Sequence, residues 1–315
     1  MSLNKDETIF VAGHRGMVGS AIHGKLVADG FSRVLGRTHA ELDLTDRKAV
    51  RVFFGREKPA VVVMAAAKVG GIIANWEQPV EFLLQNLAIQ NNLLEAAADF
   101  GSRKVLYLGS SCIYPKLAPQ PIPETALLTG PLEPTNDAYA IAKITGIKLC
   151  QSYAREYGKN FLSAMPTNLY GPRDNYDLHN SHVLPALIRK VHEAKQSGNK
   201  TITVWGSGNP RREFLHTSDL ADACVFLLDH YDEPDLVNIG CGEDVTIREL
   251  AETVCDVLAF DGSLEFDAGK PDGTPRKLLD ISKIKSLGWS PKIPLREGIA
   301  DAYRWFCENR AEARM

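Results

Sequence analysis

The chain has 315 residues, and 36 Lys plus Arg against 39 Asp plus Glu leave a net charge of −3. That balance excludes a nucleic-acid or anionic-membrane binder, which would carry a basic excess. With 44% apolar and 24% charged residues, the chain is neither disordered nor fibrous. At roughly 150 residues per domain, the length predicts two domains. The six cysteines form no CxxC pair and no disulfide-like spacing, as expected in a reducing compartment. The polar stretch up to Thr8 lacks a signal-peptide core, and no apolar run is long enough to span a bilayer. The expectation is a cytoplasmic protein with no membrane partner.

Thr8 to Ala12 reads as a strand, Gly16 to Asp29 as a helix and Arg33 to Leu35 as a short second strand. Asp46 to Glu57 has the pattern of an amphipathic helix. Ala60 to Ala65 is a continuous apolar run, as in a strand buried on both faces. Pro79 to Phe100 reads as a long helix, Lys104 to Leu108 as a strand, Tyr139 to Tyr157 as a helix and Phe161 to Met165 as a strand. This alternation predicts an α/β fold with a doubly wound, Rossmann-like parallel sheet over residues 1–165. Residues 166–315 are assigned mainly to a smaller substrate domain, with one later segment free to return to the first. Helices are expected there at Ser181 to Gln196, Ser218 to His230, Thr246 to Leu258 and Arg296 to Asn309, and a strand at Thr201 to Val204.

Gly13-His14-Arg15-Gly16-Met17-Val18-Gly19 lies between the first strand and the first helix. The glycines allow a tight turn, close approach of a pyrophosphate and close helix packing, and the helix start favours an anion. The second strand ends in Leu35-Gly36-Arg37, where many NAD enzymes have a carboxylate for the ribose. Arg37 and Arg15 either pair with a 2′-phosphate, which favours NADP, or are solvated. Asp43 either meets the adenine or serves as a loop residue. His14 is read as packing rather than reacting.

Tyr139 and Lys143 stand at i and i+4 and share a helix face. A neighbouring ammonium would lower the phenol pKa, so that Tyr139 protonates a carbonyl oxygen as hydride arrives. The preceding strand ends in Leu108-Gly109-Ser110-Ser111-Cys112, where active groups of such sheets gather. Ser110 would hold the substrate oxygen. The alternative for Ser110 and Ser111 is turn chemistry. From composition alone, Cys112 is a small buried hydrophobe. Pro166, Thr167, Asn168 and Leu169 follow the fifth strand, beside the expected nicotinamide position.

These motifs resemble the extended short-chain dehydrogenase/reductase family, and the likeness covers nearly the whole chain. Further segments carry it toward the nucleotide-sugar epimerase/reductases: Ala65 to Gly71, Gly109 to Lys116, Pro166 to Pro172 and Lys270 to Lys277. The resemblance implies a GDP-sugar substrate, GDP-4-keto-6-deoxy-D-mannose, epimerised at carbons 3 and 5 and reduced at carbon 4 with NADPH. It implies Cys112 and His182 as the proton-transfer pair, with His182 also beside the cofactor. It points to Lys190, Trp205, Arg212 and Asp272 as substrate contacts. Trp205 has core packing as its alternative, and Asp272 the shaping of a turn. Where this family often has an arginine near the 2′-phosphate, the chain has His39, which weakens that grip. The other histidines are read as surface or structural. The family often forms homodimers, here through the helices near 79–100 and 139–157.

Three rival readings remain. A sugar 4,6-dehydratase would want carboxylates at Ser111 and Cys112. A 4-epimerase would retain NAD and would not need Cys112 with His182. A non-catalytic dinucleotide sensor would typically have lost Tyr139 or Lys143.

Overall fold

The apolar runs Thr8–Ala12, Val61–Met64 and Lys104–Leu108 form strands buried along their whole length. A strand covered on both faces has no polar side to present, so its hydrophobicity is continuous. The structure, a computed structural model, describes residues 2–178, 180–270 and 272–315. His179, and Pro271 within the Lys270-to-Lys277 segment, lie outside the described residues.

The first half of the chain contains β1 (Thr8–Ala12), α1 (Met17–Ala28), β2 (Arg33–Leu35), α2 (Arg47–Glu57), β3 (Val61–Met64), α3 (Ile72–Glu77), α4 (Pro79–Asp99), β4 (Lys104–Leu108), α5 (Asp137–Tyr157), β5 (Asn160–Pro166) and β6 (Asn168–Tyr170). The second half contains α6 (Val183–Ser197), β7 (Thr201–Trp205), β8 (Arg211–Arg212), β9 (Phe214–His216), α7 (Thr217–His230), β10 (Val237–Ile239), β11 (Val245–Thr246), α8 (Ile247–Val257), β12 (Ser263–Asp267), β13 (Arg276–Lys277), α9 (Ser282–Ser286) and α10 (Leu295–Glu308). Local chemistry sets several boundaries. Asp46 caps α2 by accepting from the Lys48 and Ala49 amides. Thr246 and Glu249 form a reciprocal capping box on α8. Gly158, at φ +64°, ends α5.

Six parallel strands make one sheet in the order β10-β5-β4-β3-β1-β2. Helices α1 and α7 pack together on one face, and α2, α4 and α5 on the other. This is the doubly wound parallel sheet read from the sequence. Its order reverses beside β1, where β2 and β3 lie on opposite sides. Ligands of such sheets bind at that switch point, beyond the strand C-termini.

Helix α7 and strand β10 come late in the chain yet pack in the first core. A second core gathers α6, α8 and α10 around Tyr170, Tyr176 and Phe214. Beside it, β7 pairs with β12, and β8 lies between β11 and β13. No helix among the described residues is long and apolar enough to cross a membrane.

Candidate active site

The turn from β1 into α1 leaves no room for side chains at two positions. Gly13 has φ +86°, and a Cβ there would lie 2.8 Å from the Ala66 backbone. A Cβ on Gly19 would lie 2.1 Å from the Gly13 carbonyl oxygen. Gly16 precedes α1 in extended conformation, with no side-chain hydrogen bond closing the helix start at Met17 and Val18. The first amide N–H groups of α1 therefore stay open to an anion. This cradle fits the diphosphate of a dinucleotide. His14 packs beneath Gly36, where a Cβ would come within 2.2 Å of its ring.

The residues expected around the ribose are placed differently from one another. Arg15 is exposed beside the loop. Arg37 is turned toward α2: it donates to the Gly36 carbonyl at 2.7 Å, pairs with Glu57 at 3.2 Å and lies over the Phe53 ring. His39 is exposed, 3.8 Å from Asp43. The Asp43 carboxylate accepts from the Thr45 amide at 2.8 Å and its hydroxyl at 2.7 Å, which shapes the loop.

Beyond β4, a short turn over Ser111–Ile113 buries Cys112 and leaves Ser110 extended at its entrance. A Cβ on Gly109 would lie 2.4 Å from the Met165 sulfur, so glycine lets this turn sit against β5. Lys143 is buried and donates to the Leu108 carbonyl at 2.8 Å. Its ammonium is 5.7 Å from the centre of the Tyr139 ring, which packs edge-on against Phe82. Ser110 interacts with both the Tyr139 phenol and the Cys112 thiol and eases ionisation of each.

Burial changes the expected electrostatics. It pushes the Tyr139 phenol well above its ordinary range, and the Cys112 charge adds to that effect. Lys143 is not among the groups that shift the phenol; its ammonium, 5.7 Å from the centre of the Tyr139 ring, donates to the Leu108 carbonyl. Tyr139 is thus a neutral phenol carrying a transferable proton. Burial also lowers Lys143 to about 8. The Cys112 thiol is raised by burial, against the opposing influence of Lys277, Ser110 and Lys143.

His182 is the N-terminal cap position of α6, and its side chain makes no capping hydrogen bond. The Gly71 amide donates to the Asn180 carbonyl at 3.2 Å, so the loop after β3 holds the segment that delivers this imidazole. His182 is exposed to solvent, yet the protein packed around it and then Lys277 lower its pKa.

Thr167 and Asn168 are fixed from behind: the Asn168 amide donates to the Glu213 carbonyl at 2.8 Å. Leu169 follows in β6, and Pro166 closes β5. Lys190 donates to the Thr203 carbonyl at 2.8 Å and lies over the Trp205 ring. Trp205 is 41% exposed at the end of β7, which places it outside the core. Arg212 donates to the Arg211 carbonyl at 2.8 Å and is crowded enough for burial to lower its pKa. Its neighbour Arg211 pairs with Asp244 at 2.9 Å. The Asp272 carboxylate accepts from the Ser207 amide at 2.7 Å and hydroxyl at 2.8 Å, closing the turn at Gly206.

Two residues escaped the sequence reading. Glu213 is fully buried and accepts from the Gly242 amide at 2.7 Å and the Leu279 amide at 3.1 Å. Its only signal is a carboxylate next to an apolar strand. Lys277 lines one small cavity with Cys112, Lys116, Glu133 and Thr274. It was visible only as the last residue of a family-like segment.

A glycine cradle at the switch point, followed by a Ser–Tyr–Lys group at the strand ends, defines the class. The chain belongs to the NAD dependent epimerase/dehydratase family, whose match spans residues 9–240. It uses a nicotinamide cofactor. GDP-L-fucose synthase 1 of Arabidopsis thaliana is 60% identical over 306 residues, 97% of this chain and 95% of that protein. GDP-L-fucose synthase of Escherichia coli strain K12 is 51% identical over 313 residues, 96% of this chain and 98% of that protein. A crystal structure of a GDP-L-fucose synthetase from Naegleria fowleri bound to NADP matches with a TM-score of 0.91 at 31% identity, over 100% of this chain and 98% of that one.

Proposed function

We propose that this chain converts GDP-4-keto-6-deoxy-D-mannose to GDP-L-fucose, by epimerisation at carbons 3 and 5 and reduction at carbon 4. The observation that carries this reading is the meeting of Ser110, Cys112 and Tyr139 at the end of β4. A plain reductase needs no thiol there.

The ketone at carbon 4 acidifies the protons on carbons 3 and 5. At each carbon in turn, Cys112 removes the proton and His182 returns one to the opposite face. Ser110 and Tyr139 hold the oxygen on which the enolate charge collects, as oxyanion donors do. Tyr139 then gives its proton to that oxygen. Reduced NADP, when bound, supplies hydride to carbon 4. Lys143 orients the nicotinamide ribose, Gly13 to Gly19 hold the diphosphate, and Thr167 to Leu169 flank the nicotinamide. Lys190, Arg212 and Trp205 grip the GDP end, and Asp272 keeps their loop in shape.

NADP rather than NAD is supported by Arg15 beside the cradle. Arg37 can join it, since a part-exposed ion pair such as Arg37–Glu57 stabilises by only about 0–1 kcal/mol. A homodimer is supported by exposed Trp76, Val80, Leu84 and Ile141 on α3, α4 and α5. Six unpaired cysteines fit the cytoplasm. The test is to supply the keto-sugar with NADPH or NADH and identify the product. Formation of GDP-L-fucose, faster with NADPH, supports the reading. Failure to oxidise either cofactor sinks it.

A further inference from the structure

We infer that Lys277 is a further positioning residue for the proton exchange: its ammonium is the counter-charge to the Cys112 thiolate. The inference rests on the reading of Cys112 and His182 as the exchanging pair.

The three residues come from separate elements. Cys112 sits in the turn after β4, His182 at the start of α6 and Lys277 in β13. Lys277 pairs in register with Arg212 of β8, so the two cations stand side by side on adjacent strands. Cys112 and Lys277 line the same small cavity, together with Lys116, Glu133 and Arg276. The other charged groups there are already engaged. Lys116 pairs with Glu133 at 2.9 Å, and Arg276 pairs with Asp244. Lys143, which approaches from α5 beside Tyr139, is held by the Leu108 carbonyl at 2.8 Å. Burial raises the Cys112 thiol and lowers the Lys277 ammonium, and the opposite charge of each opposes that effect on the other; Lys277 also disfavours the His182 imidazolium.

One cation can serve both halves of the exchange. A buried thiol ionises only if a positive charge opposes desolvation. The same charge disfavours the imidazolium, so a protonated His182 gives up its proton more readily. In the forward step the Cys112 sulfur takes a proton from carbon 3 or 5. The carbon–hydrogen bond breaks, and its electron pair moves onto the carbon-4 oxygen. His182 then donates its proton to the opposite face of that carbon, and the oxygen's electron pair returns to restore the ketone. Cys112 ends as thiol and His182 as neutral imidazole. Transfer of a proton from Cys112 to His182 through solvent resets the pair.

The test follows the ultraviolet absorbance of the Cys112 thiolate against pH, as the difference from Cys112→Ser in the same background. It is run in the wild type, Lys277→Met and Lys277→Arg, each checked for folding by circular dichroism. The expected result is a midpoint raised by about one pH unit or more in Lys277→Met. Lys277→Arg should stay near the wild type. Deuterium wash-in at carbons 3 and 5 should slow about tenfold in Lys277→Met and be restored in Lys277→Arg. Coincident titration curves for wild type and Lys277→Met would overturn the inference, whatever happens to activity. Full wash-in by the Cys112→Ser enzyme would overturn the exchange reading itself.

Discussion

The Lys143 ammonium donates to the Leu108 carbonyl at 2.8 Å, binding the helix of Tyr139 to the strand that leads into Ser110. The bond fixes the two halves of the reductase group relative to each other. Both lie beyond β4, at one end of the parallel sheet, where the glycine cradle also opens.

Tyr139→Phe removes the transferable proton but leaves Cys112 and His182 in place. We expect NADPH oxidation to fall about 10²- to 10⁴-fold. Deuterium exchange at carbons 3 and 5 should continue. Equal loss of both activities would show that Ser110 alone cannot hold the enolate oxygen.

Lys143 orients the nicotinamide ribose as an ammonium donor, and burial lowers its pKa to about 8. Its ammonium is therefore present below that pH and lost as the pH rises through it. The reduction rate should decline above about pH 8. In Lys143→Arg, which stays charged, the decline should move to higher pH, even if the maximum rate falls. A pH–rate profile of reduction for the two enzymes checks this.

Gly19→Ala places a methyl group 2.1 Å from the Gly13 carbonyl oxygen, so the cradle must shift. We expect NADPH affinity to drop at least tenfold, a change of about 1.4 kcal/mol. Gly24→Ala, at a helical position where an added Cβ meets nothing within 4 Å, should bind normally. Fluorescence titration of NADPH compares the two.

Asp174, in the segment between β6 and α6, is buried, with its pKa raised to about 7 and one carboxylate oxygen unpartnered. In the unfolded chain it would ionise near pH 3.9. Between roughly pH 4 and pH 7 the folded state therefore binds more protons, and stability falls as the pH rises. Asp174→Asn should flatten that part of the curve, by about 2–4 kcal/mol across the window. Urea unfolding at a series of pH values measures it. An unchanged slope would show that Asp174 is ionised throughout.

The parallel sheet was legible because its strands are continuous apolar runs and its helices are long and periodic. Val61–Met64 and Pro79–Asp99 are such cases. Strand β10 was not, because three residues of Val-Asn-Ile carry no period and are recruited by β5 alone. Helix α3 and the two-residue strands β8, β11 and β13 are likewise below the length at which periodicity shows.

At the site, Tyr139 with Lys143 was readable as an i,i+4 pair, and Gly13 to Gly19 as a turn between strand and helix. Direction was not readable. Nothing in Leu35-Gly36-Arg37 says that the guanidinium turns to Glu57, twenty positions onward. Lys277 is 165 positions from Cys112 in sequence, and it comes close because its strand runs on into a segment whose Leu278 carbonyl accepts from the Ile122 amide at 2.8 Å. The balance between burial and charge at Tyr139 also depends on packing that no local pattern encodes.

The most direct measurement supplies GDP-4-keto-6-deoxy-D-mannose and NADPH to the protein in deuterated water and locates the deuterium in the product. The account predicts NADPH oxidation together with deuterium at carbons 3 and 5. NADPH oxidation without deuterium at either carbon would contradict it, leaving a reductase in which Cys112 and His182 exchange no protons.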